Sequence, residues 1–413
     1  MTIKQFTIRM VALVMFGLVA TFAKAQSLEK YYEKLMEYEG QYQSYYDSEQ
    51  YNLAIQPLTD LIHFLDTTTA FNDPIYDESR EQINQSLASY KANTYYNLAC
   101  NYSLSHQKKP ALSALETSIA LGYKDYTNMK NDSDFDFIRN EKKFKALLKQ
   151  LEQYDHLALL KNSAPYAKEV TDSLPRFVYQ SADNVCLKQV REFFSLDEVA
   201  GDGDEISKIL NILHFVHDSI PHDGGNYALC EFDAIDIYNY HKSTGKGVNC
   251  RHLAITLNEM YLSMGFYSRY VTCLPKDPND QDCHVINTVW SSQLKKWIWV
   301  DPTFDAYVMD ENDNLLGIAE VRERLIDGRP LILNEDANWN HKSKQTKEYY
   351  LDNYMTKNLY YIECVTENRF NPESRYRNTG AKYVKLVPSD VEEISNEWIT
   401  ITHDADYFWQ SPE

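Results

Sequence analysis

From residue 27 to about 155, apolar residues recur at three- and four-residue spacing with few Pro and Gly between them, which predicts a helical region. A Pro- and Asp-containing stretch near Asn72 to Asp77 predicts a loop inside it, and Asn131 to Leu148 predicts a closing helix. Residues 156 to about 200 mix polarities around Pro165 and Pro175 and predict a linker with one or two strands. Glu205 to His217 returns to helical spacing and must stop before Pro221. The stretch from His222 to Asn249 holds several Gly residues and predicts a segment that is partly loop. Cys250 to Met264 fits an amphipathic helix, closed by Gly265 at the C-cap position. Tyr267 to Leu274 alternates as a strand, and Pro275 to Asp282 is a turn. His284 to Trp290 and Trp297 to Val300 then predict an antiparallel hairpin joined by the six residues S-S-Q-L-K-K. Beyond residue 340 the chain is rich in Tyr and Asn, with weak strands such as Glu397 to Thr402. The whole predicts an α+β protein: helices first, then an antiparallel sheet packed on the Cys250 helix.

Within the helical region, Tyr95, Leu98, Ala99, Tyr102, Ala111, Leu115 and Ser118 form a specific pattern. Ala99 and Ala111 let two antiparallel helices approach closely, while Tyr102 and Leu115 fill the space between them. The pattern resembles one tetratricopeptide-type helix pair. Tyr42, Tyr45, Ala54 and Leu58 echo it, but Ala54 and Ala111 are 57 residues apart, not one repeat of about 34, so the array is degenerate. A plain helical bundle accounts for the same spacing. Either way the helices offer a surface to a protein partner.

Lys4 and Arg9 flank a short apolar run, Met10 to Phe22, and Ala23-Lys24-Ala25 has the small-x-small form of a cleavage site. Residues 1–25 thus read as a signal peptide too short to span a membrane, with export as the expectation and a mature chain from near Gln26. The remaining length suggests two or more domains: helical residues 27–155, a second domain at 156–340, and an extension at 341–413 that contains strands and packs on it. The formal charge of -19 argues against nucleic acid or an anionic membrane as partner. Seven Cys is an odd count, so at least one thiol stays unpaired in an oxidising compartment. Cys273 and Cys283 flank the Pro-rich turn and are candidates to pair.

Cys250 carries the candidate chemistry. It opens a helix, where free N–H groups and partial positive charge favour a thiolate, and Gly247 before it allows a tight entry. Strand alternation puts His284, Ile286, Thr288 and Trp290 on one face, and Trp297, Trp299 and Asp301 on one face of the next strand. A hairpin can then set Asp301 beside His284 and fix its tautomer. Cys250 would be nucleophile, His284 base and Asp301 the orienting group, with the Trp residues excluding water.

The segments G-V-N-C, D-C-H-V-I-N and W-I-W-V-D-P-T resemble the core of the transglutaminase-like superfamily over about residues 205 to 305. The resemblance implies a papain-like Cys-His-Asp arrangement acting on amide bonds of a protein or peptide substrate through an acyl-enzyme, by hydrolysis or by transfer to an amine. Arg251, His252 and Ile286 depart from the residues usual at their positions. A binding module that retains the fold, or a glycan-Asn amidase, is the alternative. His222 or Asn226 would supply an oxyanion donor, and His252 would line the cleft. His214, His217 and His222 have no acidic or Cys partner at ligand spacing, so neither metal nor cofactor is expected. Asp305 reads as a turn residue.

Overall fold

The computed structural model describes residues 22–168, 174–280 and 282–412. The expected signal segment lies outside these residues except for Phe22 to Ala25, which begin the first helix. The chain divides after Asp155 into two compact units.

The first unit is helical: α1 (Phe22–Asp47), α2 (Tyr51–Thr67), α3 (Arg80–Leu104), α4 (Lys108–Ala120), the short α5 (Tyr126–Asn131) and α6 (Lys142–Leu151). Each of the first three packs on its successor in the chain, and α4 packs on α6. Ala54, Ala99, Ala111 and Leu115 are fully buried in one core with Tyr42 and Tyr96. The α3–α4 approach is close enough for the Ser118 hydroxyl to donate to the Ala92 carbonyl at 2.7 Å. The closing helix begins later than the spacing predicts. Asp132 turns its side chain back on the Asp134 N–H at 3.0 Å and starts a one-turn 3-10 helix, Ser133–Phe135. The N-D-S-D run therefore caps turns rather than extending a helix.

The second unit has one short strand in the expected linker, Val178–Tyr179 paired with Glu367–Asn368, and also helices that were not expected there: α7 (His156–Lys161), α8 (Val185–Phe193) and α9 (Leu196–Ala200). Asn184 explains α8, since its side chain accepts from the N–H groups of Cys186 and Leu187. Then come α10 (Glu205–Ser219), α11 (Ala234–Thr244), α12 (Cys250–Ser263) and α13 (Ile318–Asp327). Gly265, at φ +83°, ends α12 with the Phe266 N–H on the Tyr261 carbonyl at 2.9 Å.

Six strands form one sheet: β1 (Ser268–Leu274), β2 (His284–Ser291), β3 (Lys296–Val300), β4 (Tyr361–Val365), β5 (Tyr383–Leu386) and β6 (Ile399–Thr402). Their order is β6-β5-β4-β1-β2-β3. The expected antiparallel pairing holds except for β5 and β6, which run parallel. Ser291 pairs with Lys296, so the hairpin loop has the four residues 292–295 rather than six. The segment after residue 340 thus supplies β4, β5 and β6 to the sheet that carries the candidate site.

The two faces of this sheet have different covers. Val285, Val289, Ile298 and Val300 pack with α12, while Ile286, Trp299, Cys273 and Ile362 pack with α13 and the 348–355 helical turn. Asn287 on β2 donates to the Ala254 carbonyl of α12 at 2.9 Å, which pins the helix to the strand. Glu259, fully buried on α12, accepts from the N–H groups of Ala234 (2.9 Å) and Asn371 (2.7 Å). Burial pushes its carboxyl well up.

Candidate active site

Cys250 is the first residue of α12, capped by the Asn249 side chain on the His252 N–H at 3.1 Å. The chain before it is held against residues 221–223: the Asp223 N–H reaches the Val248 carbonyl at 2.7 Å, and the Val248 N–H reaches the Pro221 carbonyl at 3.0 Å. Gly247 permits this, because a Cβ there would lie 2.6 Å from the Pro221 oxygen. The pairing brings His222 beside Cys250.

His284 is the first residue of β2, on the face opposite the one that α12 covers. Helix start and strand start meet at the sheet's end, so the ring reaches the thiol past the edge of the strand. Extending the β2–β3 register by one residue sets Asp301 opposite Ile286 and diagonal to His284 on the same face. The His284 Nε2–H donates to Asp301 Oδ2 at 2.7 Å, and both side chains are buried. Nδ1 is left for the thiol. Asp301 also accepts from the Tyr350 hydroxyl at 2.6 Å and, through Oδ1, from the Thr303 N–H at 2.8 Å. Trp299 donates to the Tyr350 oxygen at 3.1 Å, so one of the expected Trp shields is also wired to the carboxylate. Phe304 and Tyr354 cover the His284 ring at centroid distances of 5.5 and 5.3 Å.

Burial would push the Cys250 thiol up, but hydrogen bonds to His222 and His284 and the charge on His284 bring it from 9.0 down to about 5. Burial likewise opposes charge on His284, and the Asp301 carboxylate overcomes it, raising the imidazole from 6.5 to about 10. Between those values the favoured state is a thiolate–imidazolium pair.

The other candidates separate. His222 faces the thiol. Its backbone N–H donates to Asn340 Oδ1 at 2.7 Å, its carbonyl accepts from Asn340 Nδ2 at 2.9 Å, and its Nδ1 accepts from the Trp339 indole N–H at 3.0 Å. Asn226 does not offer an oxyanion donor. Its amide N–H groups go to the Gly247 carbonyl at 2.5 Å and the Tyr240 hydroxyl at 3.1 Å, making it a clamp on the entry loop. His252 does not line the cleft. It is buried between Tyr227 and Phe232, with Nδ1 on Asn249 Oδ1 at 2.6 Å, and burial pushes it down to about 3.

His214 and Asp305 form a 2.6 Å pair, with Asp305 in a turn at φ +50°. His217 bonds to the Pro302 carbonyl and to Asn338. All seven Cys are free thiols. Cys273 faces the α13 core, opposite His284 in the register, and the expected link to Cys283 is absent.

Arg251 donates to Glu373 Oε1 at 2.8 Å, an oxygen that also accepts from Tyr270 and Tyr383 at 3.0 and 2.7 Å. This half-buried network fastens the late segment beside the nucleophile. Tyr350, Trp339, Asn340 and Glu373 were not identified from the sequence; they follow Asp301 at 38 to 72 residues' distance with no periodic signal.

Residues 195–302 match the family model of the transglutaminase-like superfamily, so this stretch is a transglutaminase-like domain. The match does not extend to the N-terminal helices. A 58-residue stretch is 41% identical to a chloroplastic protein of Arabidopsis thaliana, covering 14% of this chain and 17% of that protein. The chain therefore spans about a sixth of the length of that curated relative. No solved structure matches. Among the described residues no helix is long and apolar enough to cross a membrane.

Proposed function

We propose that the protein is a thiol acyl-transfer enzyme acting on amide bonds of proteins or peptides, with Cys250 as nucleophile, His284 as acid and base, and Asp301 as orienting group. What supports this reading above all is the Cys250 thiol at a helix start, hydrogen-bonded to two imidazoles and brought down to about 5. The thiolate adds to the amide carbonyl, forming the C–S bond and sending the π pair to oxygen. The oxyanion then collapses and the C–N bond breaks, the leaving amine taking a proton from the His284 imidazolium. Neutral His284 next deprotonates water, which attacks the thioester; the C–S bond breaks and the thiolate returns with a carboxylic acid product. An amine in place of water gives a new amide instead. His222 is the side-chain donor to the oxyanion, together with the Cys250 N–H.

The proposal includes export, from the residue 1–25 pattern, and use of the helical unit to hold a protein partner. Mass spectrometry after brief exposure to p-nitrophenyl acetate at neutral pH tests the chemistry. Acetylation should sit on Cys250 and vanish in Cys250→Ala. Labelling spread over the other six thiols, with none at Cys250, would remove the basis for an activated nucleophile.

A further inference from the structure

We infer that Trp339 sets the tautomer of His222, so that its Nε2–H is a fixed donor to the carbonyl oxygen reacting at Cys250. The inference deepens the thiol chemistry proposed above and rests on it for its catalytic meaning. An indole N–H can only donate, so His222 Nδ1, 3.0 Å from Trp339 Nε1, must present its lone pair. A neutral imidazole then carries its proton on Nε2. Nδ1 being taken, Nε2 is the nitrogen left for the thiol that His222 hydrogen-bonds. The two imidazoles on Cys250 are thereby given different work: His284 exchanges a proton, and His222 holds one.

The device is built by one hairpin. Asn338 and Trp339 pair with Lys344 and Ser343. The turn between them has Asn340 and His341 at φ +51° and +55°, closed by the Lys342 N–H on the Trp339 carbonyl at 2.9 Å. Two consecutive left-handed residues make this a tight primed turn, for which Asn is well suited. It puts the Asn340 amide on both backbone groups of His222 and the neighbouring indole on its ring. The loop geometry forces the Asn340 orientation: its oxygen must meet an N–H and its nitrogen a carbonyl. Main chain and ring of His222 are thus both gripped from one side, leaving the Nε2 edge toward Cys250. His222 is a catalytic residue in this scheme; Trp339 and Asn340 are positioning residues.

The test uses the full chain with 15N-labelled histidine, as wild type, Trp339→Phe and His222→Ala. In the wild type the His222 15N shifts should read a protonated Nε2 and a bare Nδ1; Trp339→Phe should move them toward a tautomer mixture. Acylation of Cys250 by p-nitrophenyl acetate builds an oxyanion, whereas alkylation by iodoacetamide does not. Acylation should therefore fall roughly tenfold in Trp339→Phe and ~100-fold in His222→Ala, each loss clearly exceeding the loss of alkylation. A merely structural role lowers both rates together. A wild-type proton on Nδ1, or an acylation-to-alkylation ratio unchanged in both variants, overturns the inference. If Trp339→Phe fails to fold, the wild-type 15N shifts and His222→Ala still decide it. Wild-type Cys250 inert to both reagents would defeat the thiol chemistry, and with it the catalytic role given to His222, while the 15N shifts would still report the tautomer.

Discussion

Replacing His284 by Gln removes the cation that, with His222, holds the Cys250 thiol at about 5 against the upward push of burial. In the wild type at pH 6, about nine-tenths of the thiol is ionised. If the variant returns to the ordinary 9.0, about one thiol in a thousand is ionised, a roughly 900-fold smaller pool. The more basic thiolate is also more reactive. With a Brønsted coefficient of about 0.4–0.5, four units of basicity return a factor of ~40–100 per thiolate. The variant should therefore be alkylated about 10–25 times more slowly at pH 6, and ~20–50 times faster at pH 9, where half its thiol is ionised. The rate profiles should cross slightly above neutrality. Iodoacetamide rates from pH 4 to 10, read by mass spectrometry at Cys250, give both curves. The sign follows from a depressed thiol: wild-type reactivity is lost as pH falls through about 5 and is flat above it. A variant midpoint still near 5, with no crossing, would mean that His284 does not ionise this thiol.

Gly247→Ala should lower the melting temperature and slow Cys250 alkylation although residue 247 takes no part in the chemistry, because its Cβ meets the Pro221 carbonyl at 2.6 Å. Wild-type values for both would show the entry loop to be more compliant than its pairing implies. Tyr350→Phe deletes a donor to the Asp301 carboxylate and leaves the Trp299 N–H buried without its partner; urea unfolding should show a loss of about 2–3 kcal/mol. Ala111→Leu overfills the fully buried α3–α4 contact and should cost the helical unit about 1–3 kcal/mol in denaturant, with Cys250 alkylation unchanged.

The elements bounded by a cap or joined by a short loop were the readable ones. The α12 start and stop, the β2–β3 hairpin and the Cys250-His284-Asp301 grouping follow from caps, alternation and a short loop. The helices between 156 and 200 were hidden because Asn184 acts as a cap amid mixed polarity, a local hydrogen bond that periodicity does not register. His252 and Asn226 carry donor groups at plausible spacing, yet burial against Phe232 and the pull of the Gly247 carbonyl occupy them. Type and spacing leave such competition undecided; only packing settles it. The long-range partners of the site were hidden for a different reason. Trp339, Tyr350 and Glu373 reach His222, Asp301 and Arg251 respectively through sheet order and loop return, and neither leaves a periodic trace in the chain.

That sheet order has a consequence for synthesis. Strand β1 lies between β2 and β4, yet β4 is made about 90 residues after β1 begins and β6 later still. At ~5–20 residues per second, the ribosome needs about 8–30 s to pass from Cys250 to Thr402. From Leu274 until Val365 is made, the β4 side of β1 is a bare edge with its hydrogen-bonding groups unpaired, and until residue 350 is made Asp301 lacks the Tyr350 hydroxyl. The nucleophile is made long before the parts that seat its partners, so its reactivity is conferred by the last third of the chain. Nascent chains arrested before residue 361 should titrate like an ordinary thiol, and the low-pH reactivity should arrive only with the closing strands.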